Sequence, residues 1–150
     1  YMSLKSLKSS RKLPQVGDIF VFQMTPGEYR YGRVVRTDAQ VGPFQNALLI
    51  YLYKSPSSDK TQIPDLKLSD LLVPPVLTNQ TPWTKGYFET VTNRELQPGD
   101  VLERHSFKNG LNQKYFDEYS NILPEPVEPV GDHSLNLHGS INALITEALK

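Results

Sequence analysis

The chain has 150 residues, with 16 basic and 16 acidic side chains, 12 prolines and no cysteine. This length fits one domain with its own hydrophobic core, and the lack of cysteine excludes a disulfide framework, a thiolate zinc site and an iron–sulfur cluster. Because an interior proline removes a helical hydrogen bond, long helices are confined to 99–123 and 130–150, which excludes a helical bundle. The longest apolar run, 47–53, has 7 residues, far fewer than the ~20 that span a bilayer.

Charge is balanced in total but not along the chain. Residues 1–36 carry seven basic and two acidic side chains, whereas residues 115–150 carry six acidic and one basic. Residues 1–13 are cationic and have no apolar centre, so we predict a mobile basic tail there and a single domain over 14–150. The balanced total is not typical of a general nucleic-acid binder.

Three strands are predicted at the start of the domain. Gly17-Asp18 is a turn signal before 19–24, which is rich in β-forming residues, and Pro26-Gly27 makes a tight turn into a strand over 28–36. The segment 46–53 is apolar on both faces, which predicts a central strand covered on each side. These strands predict a meander that forms a curved antiparallel sheet or a small, partly open barrel.

The middle of the chain is irregular and rich in proline. A loop is predicted over 54–65, followed by no more than a short helix or turn over 66–72. The segment 73–77 contains two adjacent prolines and therefore belongs at a sheet edge. The segment 83–91 is predicted to be a strand, with Gly86 as a bulge.

Helical segments are predicted in the last third of the chain. The spacing of apolar residues predicts a short helix within 111–122, and a proline-rich extended connector follows at 124–130. An amphipathic helix, with apolar positions beginning at Ile141, is predicted at the C-terminus with Ser134 or Ser140 as its cap. We therefore predict an α+β fold that is mainly β, with the C-terminal helix packed on the sheet.

Few residues suit catalysis or metal binding. His105, His133 and His138 have no evident chemical companion, and the spacing of the last two does not place them on one helical face as ligands. Neighbours in Asp132-His133-Ser134 point apart along an extended segment, so helix capping explains them better than a hydrolytic triad. No glycine-rich phosphate loop is present. We therefore expect no enzyme activity, no metal and no cofactor.

Two groups of side chains suit binding instead. Arg30, Arg33 and Arg36 follow one another along the second predicted strand, where strict alternation places Arg30 and Arg36 on one face and Arg33 on the other. Arginines beside aromatic residues can stack bases, as in single-strand binders, and they equally suit packing on the outside of a sheet. Trp83, close to Tyr87, suits either core anchoring or a protein interface.

Several short motifs, in this order, resemble a known bacterial family. They are the Gly-Asp entry and aromatic strand from Val16 to Met24, the Gly-Arg-Val strand at 29–35, the apolar strand ending at Tyr53, and the segment 83–88 with its tryptophan and Lys-Gly pair. Over residues of about 16–120 the chain is similar to the family called immunity protein twenty-six. The basic tail and the C-terminal helix lie outside this resemblance.

The resemblance implies a mostly β cytoplasmic protein that binds and neutralises a cognate bacterial toxin domain by stoichiometric occlusion. The toxin would be secreted or contact-delivered, as in polymorphic-toxin systems and contact-dependent growth inhibition, and the partner would be a protein rather than a nucleic acid or a membrane. If that toxin domain is cationic, the acidic stretch 117–132 is its complement. The candidate toxin-binding residues are Asp117, Glu118, Tyr119, Glu125, Glu128, Asp132, Trp83 and Tyr87.

Two other functions stay open. One is a small-barrel nucleic-acid-binding or ribonuclease-type protein of a toxin–antitoxin system, in which Arg30 or Arg36 would act with Glu28 or Asp38. The other is a reader domain that binds nucleic acid or peptide on a curved sheet. Nucleic-acid binding would then depend steeply on salt.

Overall fold

A five-stranded antiparallel sheet forms the body of the protein in the computed structural model, which describes residues 3–150. The strands are β1 Asp18–Thr25, β2 Glu28–Val41, β3 Phe44–Leu52, β4 Val76–Thr78 and β5 Glu89–Asn93. They are arranged in the order β4-β3-β2-β1-β5 and do not close into a barrel. The predicted meander and the open, curved sheet are confirmed, and β4, which directly follows the double proline, lies at an edge as predicted.

A smaller four-stranded sheet follows in the chain. Its strands are β6 Ser106–Lys108, β7 Tyr115–Phe116, β8 Ile122–Leu123 and β9 Val130–Asp132. They are arranged in the order β8-β7-β6-β9, with β6 and β9 parallel and the other neighbours antiparallel. Phe107 of β6 is fully buried and joins this sheet to the core of the main sheet.

The helix predicted within 111–122 is wrong, because this segment forms β7, a turn and the start of β8. Side chains stabilise the turns through local hydrogen bonds. Asn109 Oδ1 accepts a hydrogen bond from the N–H of Leu111 at 2.9 Å, and Asp117 Oδ1 accepts one from the N–H of Tyr119 at 2.9 Å. Such bonds give the backbone an alternative to the helical hydrogen-bond ladder.

The strand predicted over 83–91 is correct only in its second half. Its first two residues belong to α1, a single turn over Thr81–Thr84, and Gly86 lies in the turn before β5 with φ of 82°, so the bulge predicted there is wrong. Pro82 explains the difference, because proline is favoured in the first turn of a helix. The predicted short turn between β3 and β4 is confirmed as a 3₁₀ turn at Leu68–Asp70.

The predicted C-terminal helix is confirmed as α2, His138–Ala148. Ile141 and Ile145 are fully buried against the main sheet, as the apolar stripe predicts. The predicted serine caps are wrong, since Leu137 stands at the N-cap and Ser140 lies inside the first turn.

The main sheet is buried on both faces, so β3 is the covered central strand that its apolar sequence predicts. One face packs against α2 and α1, and the other packs against the small sheet and its connections. Full burial of each large apolar side chain contributes about 1.5–3 kcal/mol. No helix in the described part of the chain is long and apolar enough to cross a membrane. Buried side chains of the α2 face include Phe20, Phe22, Ile50, Trp83 and Phe88, and those of the small-sheet face include Val35, Leu49, Tyr51, Leu77 and Phe107.

A bulge in β2 changes which face its arginines occupy. Val35 and Arg36 together stand opposite Leu49 of β3, so the alternation of side chains is broken at this point. Val35 and Leu49 belong to the core of the small-sheet face, and Arg36 lies on the same side. The predicted placement of Arg30 and Arg36 on one face is therefore wrong.

Residues 3–13 lie against the domain. Leu4 is 9% exposed and belongs to the core of the α2 face, and the N–H of Lys5 donates to the carbonyl of Gln23 at 2.8 Å. The mobility of the basic segment stays a prediction, and residues 1–2 of the predicted tail lie outside the described residues.

Candidate functional site

The turn between β7 and β8 is docked on the end of the β2–β3 hairpin. Ser120 Oγ donates a hydrogen bond to the carbonyl of Gln40 at 2.7 Å and accepts one from the N–H of Gly42 at 3.1 Å. The N–H of Gln40 donates to the carbonyl of Glu118 at 2.8 Å. The hairpin therefore fixes the position of the turn that carries three of the predicted binding residues.

Asp117 and Tyr119 have different roles in this turn. Asp117 Oδ1 accepts hydrogen bonds from the N–H groups of Tyr119 and Asn121, both at 2.9 Å, so its carboxylate stabilises the turn itself. The Tyr119 hydroxyl donates to Asp38 Oδ1 at 3.3 Å, while 40% of the residue stays exposed. Ser120 adopts φ of 63°, which is uncommon for a residue other than glycine.

Glu118 ends a buried chain of hydrogen bonds that begins in the main sheet. The Tyr51 hydroxyl lies 2.6 Å from His105 Nε2, and His105 Nδ1 lies 2.6 Å from Glu118 Oε2. The N–H of Leu102 donates to the Tyr51 oxygen at 3.0 Å, which leaves the hydroxyl hydrogen for Nε2. The Nδ1–H of His105 then donates a hydrogen bond to the carboxylate. The prediction that this histidine lacks a companion is wrong.

Burial favours the neutral form of both end groups, but only Tyr51 has a raised pKa as a result. Burial raises the pKa of Tyr51 to about 12, so its hydroxyl stays protonated at neutral pH. For Glu118 burial alone would raise the pKa, but the hydrogen bond from His105, a backbone hydrogen bond and the charge of Arg36 together lower it. The Glu118 side chain is thus an anion at neutral pH, although only 12% of it is exposed.

A groove of about 360 Å³ opens beside Glu118, along the proline-rich segment that follows β8. Its lining carries four carboxylates and only one guanidinium group, so the groove is acidic. Glu125 lies in it, whereas Glu128 is exposed just beyond it. The lining residues are Glu103, Arg104, His105, Asp117, Glu118, Leu123, Pro124, Glu125, Pro126 and Val127. We refer to Asp38, Glu103, Asp117, Glu118 and Glu125 as the acidic face.

Asp132 does not line this groove. It is exposed at the end of β9 and lines a separate cleft with Lys108 and His133. His133 stacks on Phe116 with ring centroids 4.2 Å apart, and its Nε2 lies 2.9 Å from Ser120 Oγ. His133 therefore has companions that were not predicted, and burial lowers its pKa. Nowhere in the described part of the chain are three or more His, Asp or Glu side chains grouped to hold a metal.

Trp83 and Tyr87 lie on the opposite, α2 face of the main sheet. Trp83 is 1% exposed, its Nε1 donates to Thr90 Oγ1 at 3.1 Å, and its ring meets Phe20 edge to face. Of the two roles predicted for Trp83, core anchoring is the one observed. Tyr87 is half-buried and stacks on His138 with centroids 5.2 Å apart. The structure does not bring these two residues together with the acidic face.

The three arginines of β2 have partners inside the protein. Arg33 is 6% exposed, and its Nη1 lies 3.0 Å from Asp100 Oδ2. Arg30 Nη1 also lies beside a carboxylate, 2.8 Å from Glu28 Oε1. Arg36 faces the acidic turn rather than its two neighbours in the series. These arginines therefore do not form one exposed basic patch.

Large apolar side chains are exposed at the two docked turns. Phe44 at the start of β3 is 54% exposed, Tyr119 of the β7–β8 turn is 40% exposed, and Ile122 of β8 is 63% exposed. We call Phe44, Tyr119 and Ile122 the exposed trio. Sequence reasoning selected only Tyr119, because nothing local in the sequence shows which turn residues a hairpin leaves uncovered.

Comparison with known proteins gives one match. The family described as Immunity protein 26 matches residues 15–117, from the entry to β1 through β7. No curated protein and no solved structure matches the chain. The family match confirms the resemblance found from the motifs, and it covers more than half of the sequence. The chain therefore belongs to the Immunity protein 26 family.

Proposed function

We propose that this protein binds the toxin domain of a cognate secreted or contact-delivered bacterial toxin and neutralises it by stoichiometric occlusion. The observation that carries the proposal is the family match over residues 15–117. The protein would act in the cytoplasm of the cell that it protects, before an incoming toxin domain reaches its substrate. Occlusion requires a stable protein interface and no chemistry by the immunity protein.

The acidic face is the surface that we propose for toxin binding. Its carboxylates lie on the groove and on the turn docked beside it, and the lowered pKa of Glu118 keeps that group charged at neutral pH. A concentration of one charge sign speeds encounter with a partner of opposite sign and suppresses wrong partners. A toxin domain with a cationic surface, as needed to act on a polyanionic substrate, fits this face.

The size of the protein suits a standard interface. Stable complexes bury about 800 Å² on each partner, and the accessible surface of this chain is 8093 Å². An interface centred on the β7–β8 turn would therefore occupy about a tenth of the surface. That area is large enough to cover the entrance to an active site.

The alternative of a nucleic-acid-binding or ribonuclease-type small barrel has less support. It depends on Arg30 or Arg36 acting beside Glu28 or Asp38. Arg30 does lie 2.8 Å from Glu28, but Arg36 lies on the other face of the sheet, so the arginines do not form one exposed basic patch. The main sheet is also open rather than closed into a barrel. No observation favours this function over toxin binding.

The first experiment uses the C-terminal domain of the protein encoded immediately upstream of this gene, where we expect the cognate toxin, in a catalytically inactive form. Calorimetry should give one-to-one binding, and co-expression with the active toxin domain should restore growth. If the protein neither binds this domain nor protects against it, the proposed function is refuted.

Charge variants then test the acidic face. We leave Asp117 and Glu118 unchanged because their carboxylates hold the turn, and we combine Asp38→Asn, Glu103→Gln and Glu125→Gln. The association rate at low salt should fall about tenfold or more. The matched control neutralises three exposed acids elsewhere, Asp65→Asn, Glu95→Gln and Glu147→Gln. Equal rates for the two triple variants would refute the acidic face while leaving the immunity function in place.

A further inference from the structure

Phe44 and Tyr119 of the exposed trio lie on two turns that the fold holds together, and Ile122 follows the second of these residues at the start of β8. Residues 117–121 form one turn and residues 41–44 the other, and the Ser120 hydroxyl bridges them through Gln40 and Gly42. Tyr119 is further tied to Asp38 on β2. Single exposed apolar residues are common on protein surfaces, but three large ones on or beside two joined turns form a feature that needs an explanation.

Two residues beside the trio adopt left-handed backbone conformations. Asn46 adopts φ of 55° just after Phe44, and Ser120 adopts φ of 63° just after Tyr119. Residues other than glycine persist in this region when the surrounding structure imposes it, and such positions cluster at functional sites. Asp117 Oδ1 also accepts a hydrogen bond from the Tyr119 N–H. Pre-organised side chains lose little conformational entropy on binding, which favours affinity.

We propose that the exposed trio is the apolar centre of the toxin-binding surface. Its partner is a toxin domain with an apolar depression that receives these side chains and is rimmed by lysine or arginine side chains. This rests on the proposed function. The apolar side chains require a depression that buries them, and aromatic residues such as Phe44 and Tyr119 are the usual anchors of such contacts. The rim is cationic because Asp38 accepts a hydrogen bond from Tyr119, and Asp117 and Glu118 directly precede Tyr119 in the turn.

The same charges disfavour a second copy of this chain as the occupant. In a two-fold contact centred on Tyr119, each copy would present Asp38 and Asp117 to the same residues of the other. Like charges placed opposite each other reduce affinity. A partner of opposite charge has no such penalty.

The test compares alanine variants of the trio with alanine variants of equally exposed apolar residues elsewhere. The probe is the inactive toxin domain encoded upstream. Phe44→Ala and Tyr119→Ala should each weaken its affinity about 30-fold or more, as at interface hot spots. Leu111→Ala and Leu13→Ala are the matched controls, since these residues are 97% and 67% exposed on other segments. They should change the affinity by less than about twofold.

The outcomes separate this inference from the proposed function. If the wild-type protein binds the toxin domain and protects the cell but the trio variants bind as tightly as the controls, the trio is not the binding centre. If light scattering shows that the trio variants abolish self-association while toxin affinity is unchanged, the occupant is a second copy and the inference is overturned. Loss of affinity in the trio variants, with the thermal midpoint of unfolding unchanged, supports it.

Discussion

Replacing Tyr51 with phenylalanine tests whether the buried chain of hydrogen bonds joins the two sheets. The substitution removes one hydroxyl group and leaves the aromatic ring in the core. It takes away the acceptor of the Leu102 N–H and the donor to His105 Nε2. His105 is 3% exposed, so water does not readily replace the lost partner.

The structure gives a magnitude for this change. A buried polar group left without a partner costs about 1–3 kcal/mol. The nitrogen of His105 carries the full penalty, whereas the N–H of Leu102 belongs to a partly buried residue and carries less. We therefore expect the free energy of unfolding to fall by about 2–3 kcal/mol. This is a large part of the ~5–15 kcal/mol by which domains are usually stable, and it corresponds to a melting temperature lower by about 4–12 °C.

Urea denaturation followed by tryptophan fluorescence measures the effect, since Trp83 is buried in the same domain. The matched control is Tyr29→Phe, which removes a hydroxyl from a half-buried tyrosine of β2 and should change stability by less than about 0.5 kcal/mol. If Tyr51→Phe is as stable as this control, with an unchanged denaturant slope, the chain of hydrogen bonds does not hold the sheets.

Three further predictions concern acidity, close packing and the N-terminal segment. The lowered pKa of Glu118 means that its ionisation stabilises the fold above the ordinary carboxyl pKa of 4.5. This stabilisation is lost as pH falls through the lower pKa that Glu118 has in the folded state. The stabilities of wild type and Glu118→Gln, measured by urea titration, should therefore differ most near neutral pH and converge in acid. A Cβ at Gly32 would overlap the Phe20 ring, so Gly32→Ala should lower the unfolding free energy by about 1–3 kcal/mol, whereas Gly99→Ala, which has open space around it, should not. Leu4→Ala should destabilise the protein by about 2 kcal/mol if Leu4 is a core residue, and equal stability of wild type and variant would favour a mobile tail.

The parts of the fold that sequence reasoning predicted correctly are those specified by local patterns. The turns at Gly17 and Gly27 and the apolar run of β3 specify the meander, and the double proline before β4 specifies an edge. The apolar stripe around Ile141 specifies both α2 and its packing on the sheet. In each case the residues that predict the element lie within one short segment.

The helix predicted within 111–122 failed because two patterns competed in the same segment. The apolar spacing favours a helix, whereas Asn109-Gly110 and Asp117 favour turns. Their side chains accept backbone hydrogen bonds two residues ahead, and these bonds replace helical ones. More weight on the Asn-Gly pair would have predicted a hairpin here.

The partners of His105 could not be predicted from the sequence. Tyr51 lies 54 positions away and Glu118 lies 13 positions away, and neither spacing belongs to a regular helix or strand. The bulge at Arg36 could not be predicted from the sequence either, because one extra residue in β2 leaves the sequence pattern of a strand unchanged. Both features depend on how the two sheets meet.

The proposed binding turn depends on polar contacts more than on the hydrophobic core. β7 and β8 have two residues each, and such short pairs have little stability of their own. The turn is held instead by the hydrogen bonds of Ser120 to the hairpin and by the hydrogen bond between Glu118 and His105. Tyr51→Phe should therefore weaken toxin binding as well as stability, although Tyr51 is fully buried. Phe44→Ala should weaken binding alone, since Phe44 is exposed. If Tyr51→Phe lowered stability but left toxin affinity unchanged, the turn would not be positioned by the buried chain.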